Sequence, residues 1–184
     1  MKPIIAVIVF SFIAALTNSF CQYSEPVNTA QSQKKQRDLN LNKYPSLKIA
    51  SEKMAKATES SDAKVIVDLT YSKYLKMFGG REAVLDLVVK GFDDLKTKDG
   101  QIVSLKAEMP NELAEIDNDL FSLVPLTMTV KTPDGLSKGT DSMIAVSEDD
   151  GVTWSFITGV SQSELEKLFP KVAEKIKIPE PKSL

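Results

Sequence analysis

The chain has 184 residues and a formal net charge of −2, from 23 basic and 25 acidic side chains, with no histidine. The missing histidine excludes Ser-His-Asp and Cys-His catalysis and any histidine-built zinc or iron site, and one cysteine cannot close a disulfide within the chain. So even a charge balance leaves no overall basic footprint for nucleic acid, and no nucleic-acid motif is present.

The N-terminus reads as a secretory leader. Lys2 supplies the positive charge, and Ile4 to Leu16 is an apolar run of h-region length, short for a membrane span. Ser19 and Cys21 are the small residues of a cleavage site, which predicts a signal peptide over residues 1–21. The protein is then exported, to the periplasm or the exterior, and meets the membrane only during export. Lipidation at Cys21 is disfavoured, because Phe20 and Asn18 stand where a lipobox wants a small and an aliphatic residue. Cleavage after Cys21 leaves a mature chain without a thiol.

Residues 22–46 are rich in Gln, Asn, Ser and Lys. They bury too little apolar surface to offset their ordering entropy, so a flexible linker is expected. Lys34, Lys35 and Arg37 within it read as a solvated cluster. A single α+β domain is expected over residues 47–178, long enough for its own core. The tail 179–184 carries Pro179 and Pro181 and is expected to be loose.

Helices come first. Leu47 to Thr58 is Ala- and Lys-rich. Ser60 or Ser61 can cap a second helix with Asp62 in its first turn. Val67, Tyr71, Tyr74, Leu75 and Phe78 then share one face of a helix that ends at Gly79-Gly80. A third helix from Arg81 to about Lys96 carries the stripe Val84, Leu85, Val88, Phe92 and Leu95.

Strands follow. In Ile102 to Met109, Val103, Leu105, Ala107 and Met109 alternate with Ser104, Lys106 and Glu108, a strand with one wet face. Leu120 to Lys131 alternates through Val124, Leu126, Met128 and Val130, and Pro125 within it suggests an edge or a bulge. Thr132-Pro-Asp-Gly135 turns the chain back antiparallel through Val146. Ser161 and Glu164 form a capping box before a short C-terminal helix that Pro170 closes. Helices followed by an antiparallel meander give an α+β class: N-terminal helices packed on a curved, cone-like sheet, with a short C-terminal helix.

One motif is specific. Ser147-Glu-Asp149-Asp-Gly151-Val-Thr153-Trp154 resembles the Asp-box of bacterial neuraminidase-type propellers. Asp149 can accept from the N–H groups of its own turn, Gly151 supplies a positive φ, Thr153 suits a strand, and Trp154 covers the turn. The expected hairpin runs on through Val152 to Thr158. A calcium site at Glu148, Asp149 and Asp150 is the second reading of the acidic run, disfavoured because its ligands do not alternate. The element order, with Tyr71, Tyr74, Leu75 and Gly79-Gly80 ending a helix, resembles the nuclear-transport-factor-2-like and cystatin-like cone fold of small secreted bacterial proteins. That resemblance implies a cone whose interior is a pocket or a packed core. It implies no single activity, because such folds host enzymes, binders and assembly domains.

Three functions follow from these residues. The first is a secreted or periplasmic non-catalytic module that binds a small molecule in the cone or a cell-envelope protein on the sheet; Tyr71, Tyr74 and Arg81 are its candidate binding residues. The second is a small cofactor-free enzyme in which Asp68 and Tyr71, three residues apart on one helix, form an acid–base pair. The third is a cell-envelope carbohydrate-binding protein, suggested by the Asp-box. No cofactor, metal or nucleic-acid partner is expected, and the non-catalytic reading has the fewest requirements.

Overall fold

The computed structural model describes residues 43–110 and 112–183. The expected leader and all but the end of the expected linker lie outside the described residues. The fold is α+β: helices lie against a curved antiparallel sheet that does not close.

Helix α1 spans Pro45–Glu59, so Pro45 and Ser46, expected in the linker, form its first turn. Pro at the start costs no hydrogen bond, since a first-turn N–H has no partner in the helix. Its buried residues Leu47, Met54 and Ala57 face the sheet side.

The expected second helix is broken in two. Helix α2 spans Ala63–Asp68 and α3 spans Ser72–Met77. The N-cap is Asp62, whose Oδ1 accepts from the Val65 N–H at 3.2 Å, rather than either serine. Between the two helices the backbone turns outward to the sheet. The Phe156 N–H donates to the Leu69 carbonyl at 2.7 Å, and the Tyr71 N–H donates to the Phe156 carbonyl at 2.9 Å. These long-range bonds satisfy groups that a continuous helix would have used locally. The break places Tyr71 and Tyr74 in a different core from Val67. Helix α4 spans Arg81–Thr97 and buries Val84, Val88, Phe92 and Leu95, the expected stripe with Leu85 at its margin.

The sheet is organised around a hairpin. Strand β3 (Asp119–Thr132) and β4 (Gly135–Ser147) pair without a register break from Leu120–Ser147 to Thr132–Gly135. One edge of β3 is shared by β1 (Gln101–Ala107) and β2 (Glu112–Ile116). The far edge of β4 is shared by β5 (Ser155–Ile157) and β6 (Lys182–Ser183). Pro125 is therefore neither on an edge strand nor in a bulge. It sits where the partner of β3 changes from β1 to β2, with only the Glu108 N–H donating to its carbonyl at 2.8 Å. A residue's N–H and C=O point to one side of an antiparallel strand, so the missing proline N–H faces that handover.

Strand β1 departs from simple alternation. Its register shifts between Ile102 and Ser104, leaving Val103 as the extra residue of a bulge. Ile102 is buried at 8% exposure and Val103 is 44% exposed, the reverse of the expected phase, while Leu105 and Ala107 pack against the core. Strand β2 was not expected. It joins β3 through Asp117-Asn118, both at positive φ (52° and 72°), the backbone of a tight two-residue hairpin turn. The Asp-box strand is shorter than expected, since only Ser155–Ile157 pairs with β4.

The C-terminus has two short helices. The capping box is present, with Ser161 Oγ accepting from the Glu164 N–H and Glu164 Oε2 accepting from the Ser161 N–H. Helix α5 (Gln162–Leu168) ends as expected, but Pro170 also opens α6 (Pro170–Lys175). The tail is not loose throughout. Past Pro181, Lys182 and Ser183 pair with Thr140 and Gly139 of β4.

Helices cover both faces of the sheet, so the chain has two cores. One holds Leu47, Val67, Val88 and Phe92 of α1, α2 and α4 against Val124, Met143, Ala145 and Phe156. The other holds Tyr71, Tyr74, Leu165, Val172 and Ile176 against Phe121, Leu123, Ile144, Val146 and Ile157. Each fully buried large apolar side chain contributes about 1.5–3 kcal/mol.

The Asp-box fastens the first core. The Gly151 N–H donates to Ser147 Oγ at 2.8 Å. The Thr153 N–H and hydroxyl donate to the two oxygens of Asp149 at 2.9 and 2.7 Å. The Gly151 carbonyl accepts from Ser46 Oγ at 2.6 Å and from Trp154 Nε1 at 3.2 Å, and the Tyr44 ring meets Trp154 edge-on at 5.9 Å. Gly151 has φ +86°, and a Cβ there would strike the Tyr44 ring. Gly151→Ala should therefore destabilise the protein by about 2–4 kcal/mol, from the left-handed backbone and the displaced ring together. The single Trp reports on the same event: its emission maximum should move to longer wavelength in the variant. Unchanged urea midpoint and emission would contradict this account.

Candidate functional site

The residues expected to carry chemistry fall into two separate places. Asp68 ends α2 in solvent, 58% exposed, in an ion pair with the Arg81 guanidinium. Arg81 thus opens α4 and is occupied by a carboxylate of its own chain. Tyr71 is buried at 1% exposure, packed on Phe169 with ring centroids 6.1 Å apart. No hydrogen bond joins Asp68 to Tyr71.

Tyr71 instead belongs to a cluster around Lys73. The Lys73 ammonium lies 5.5 Å from the centre of the Tyr71 ring, 3.4 Å from Asp119 and 3.3 Å from Glu148. Burial pushes the Tyr71 phenol above its ordinary value, against the pull of Lys73. The hydrogen bond with Tyr71, and then the carboxylates, hold Lys73 above its own. Both groups keep their protons at neutral pH, so neither is a base. The arrangement is a latch that ties α3 to the start of β3 and to the Asp-box loop. Tyr74 is buried, stacked on Phe78 at 4.7 Å, with its phenol pushed up to about 12 by burial and then by the charge of Glu164.

The acidic run of the Asp-box is likewise engaged. Glu148 faces Lys73, and both oxygens of Asp149 serve Ser147 and Thr153. Those hydrogen bonds, led by the Thr153 N–H, hold the Asp149 carboxyl below its ordinary value. Among the described residues, no group of three acidic, His or Cys side chains is placed to hold a metal ion. Trp154 is 5% exposed and in the core, so it offers no open stacking face.

The carboxylate that stands out lies within the strand that the sequence predicts through Val146 and carries no expected role there. Asp141 lies on β4 on the face that carries Met143 and Ala145, toward α1 and α4. It is directly opposite Leu126, which is opposite Ala107, so one row reads Ala107–Leu126–Asp141. The next row outward is Leu105–Met128–Gly139. Every one of the four apolar side chains in these rows packs against the first core but is only half-buried. Asp141 is half-buried among them, and among the described residues the one hydrogen bond it accepts comes from the adjacent Ser142 N–H at 2.7 Å. Burial raises its carboxyl above the ordinary range despite that bond. The signal available in the sequence was parity: once β4 is in register, an acid two residues before Met143 must share its face.

No protein-family model matches the chain, and no curated protein matches it.

A raised carboxyl has a definite sign in stability. The folded state binds the Asp141 proton more tightly than the unfolded chain does. The charged form therefore lowers stability above the folded pKa, and that cost vanishes below the unfolded value, about 3.9. Asp141→Asn should raise the thermal midpoint at pH 7, with the gain shrinking as the pH falls toward about 4 and the charge contribution gone below it. A midpoint gain that is the same at both pH values would refute the burial account.

Proposed function

We propose that this protein is a non-catalytic binding module, exported through its leader, that takes an amphipathic molecule on the helix-facing strip of the outer sheet. The apolar body of such a ligand lies along Leu105, Ala107, Leu126 and Met128. Its cationic or hydrogen-bond-donating head meets Asp141. The observation that supports this reading is the half-buried Asp141 itself, with accepting capacity left over beside four half-buried apolar side chains. A buried carboxylate with spare lone pairs is costly unless a donor reaches it. The apolar run from Ile4 to Leu16 behind Lys2 supports export, and the element order supports a cone-like fold.

An acid–base enzyme is the weaker reading, because Asp68 and Tyr71 are engaged with different partners in different surroundings. A carbohydrate-binding role built on Trp154 lacks an exposed ring, and no aromatic side chain is exposed among the described residues.

Amphiphiles of one chain length and different heads test the reading. Below its micelle concentration, dodecyltrimethylammonium should bind about tenfold more tightly than a dodecyl chain with a neutral head, the worth of one charge-assisted contact. Asp141→Asn should erase that preference and leave the neutral amphiphile's affinity within about twofold. Titration calorimetry that finds no binding, or a preference that survives in the variant, would overturn the proposal.

A further inference from the structure

We infer that the opposite face of the same outer sheet is a docking surface for an acidic polysaccharide. The register places the residues. On the side away from α1 and α4, one row reads Lys106–Thr127–Thr140–Lys182 across β1, β3, β4 and β6. The next reads Ser104–Thr129–Lys138, and the last Gln101–Lys131–Leu136. Helices α5 and α6 cover only the other half of this face, over Phe121, Leu123, Ile144 and Val146.

Four lysines thus share one face of the sheet. Lys106, Lys131, Lys138 and Lys182 are all exposed, and among the described residues none makes a salt bridge. Lys106 and Lys182 end one row, three strand spacings or about 14 Å apart. Lys131 and Lys138 are diagonal neighbours at about 7–8 Å. The acids in this register are marginal: Glu108 lies beyond the end of β1 beside Pro125, and Asp134 sits in the β3–β4 turn. Like charges gathered on one sheet face repel, and they do so here in a chain whose net charge is −2. A polyanion laid on the face removes that repulsion.

The chemistry of the face selects among polyanions. Phosphate recognition favours the guanidinium fork, and base recognition favours aromatic stacking. The face carries neither Arg nor an aromatic residue. A lipid surface needs apolar anchors, and within these rows Leu136, 70% exposed at the rim, is the one exposed large apolar residue. What remains between the lysines is a grid of Ser and Thr hydroxyls. Charge spaced among hydroxyls matches a polymer of carboxylated sugars, which offers both on every ring. This inference does not rest on the Asp141 reading, which concerns the other side of the sheet.

Polygalacturonate and the full chain make the test. The protein should bind the polymer, and affinity should fall as salt rises. Replacing Lys106, Lys131, Lys138 and Lys182 by Gln should weaken binding about tenfold or more. Replacing Lys53, Lys56, Lys64 and Lys90 of the helices by Gln changes the net charge equally and should leave affinity within about twofold. If the first variant does not keep the wild-type circular dichroism, Lys106→Gln with Lys182→Gln carries the test and should still weaken binding. Equal loss in both sets, no binding, or tighter binding to phosphatidylserine vesicles or duplex DNA than to polygalacturonate would overturn the inference. Dodecyltrimethylammonium binding in the lysine variants separates the two surfaces, because it should not change.

Discussion

The unbroken β3–β4 ladder is the constraint on which the rest of the molecule depends. Successive residues of a strand point to opposite faces, so one ladder fixes two sets of side chains at once. Near the Asp-box end both sets are buried: Val124 and Met143 on one side, Leu123 and Ile144 on the other. A strand buried on both faces has no polar alternation, and Leu120 to Val124 accordingly contains a single polar residue, Ser122. Its hydroxyl donates to the Glu112 carbonyl at 2.7 Å, which makes its burial tolerable. Beyond Pro125 the same strands lose their helical cover on the face of the second core and alternation returns, while Val130 stays buried in the first.

The Asp-box serves this arrangement from outside the ladder. It turns β4 into β5 and also holds the beginning of α1 through Ser46 and the Tyr44 ring. A motif of eight residues thereby joins parts of the chain separated by more than half its length. The Lys73 latch does similar work on the other side, tying α3 to Asp119 and Glu148. Such exposed ion pairs contribute little energy each, roughly 0–1 kcal/mol. They orient loops whose position is already set by Tyr71 and Phe156.

Local signals were legible in the sequence wherever short-range chemistry decided the outcome. The Ser161–Glu164 capping box, the Thr132–Gly135 turn, the α4 stripe and the Asp-box all rest on neighbours within a few residues. The misreadings share one cause: a partner remote in sequence. Val67 to Phe78 has helical spacing, but Phe156 supplies hydrogen bonds that interrupt it at Leu69–Tyr71. Val103 lies in phase for burial, but pairing with Thr129 and Val130 expels it as a bulge. Lys182 follows two prolines, yet β4 has a free edge for it. The proposed sites were hidden for the same reason. Asp68 and Tyr71 are close in sequence, which makes a pairing legible there, whereas Asp141 gains meaning only from Ala107 and Leu126, and Lys106 only from Lys182.

The two outer surfaces have opposite chemistry, one apolar with a single acid and the other cationic with hydroxyls, and they are made from alternate residues of the same strands. Their separation is a matter of register. A slip of one residue would turn Lys106 and Lys138 toward the helices and expose Leu105 and Met128. In the outer half Leu105, Ala107, Leu126 and Met128 are only half-buried, so that packing holds the phase weakly, with Ile102 and Val130 its buried apolar residues. Two features outside it hold the phase. The doubly buried rows from Leu120 to Val124 cannot slip without exchanging both cores. The two-residue turn at Pro133-Asp134, with Gly135 at φ +126°, closes the other end at a fixed length. The distinctness of the two proposed binding surfaces therefore originates in residues that touch neither ligand.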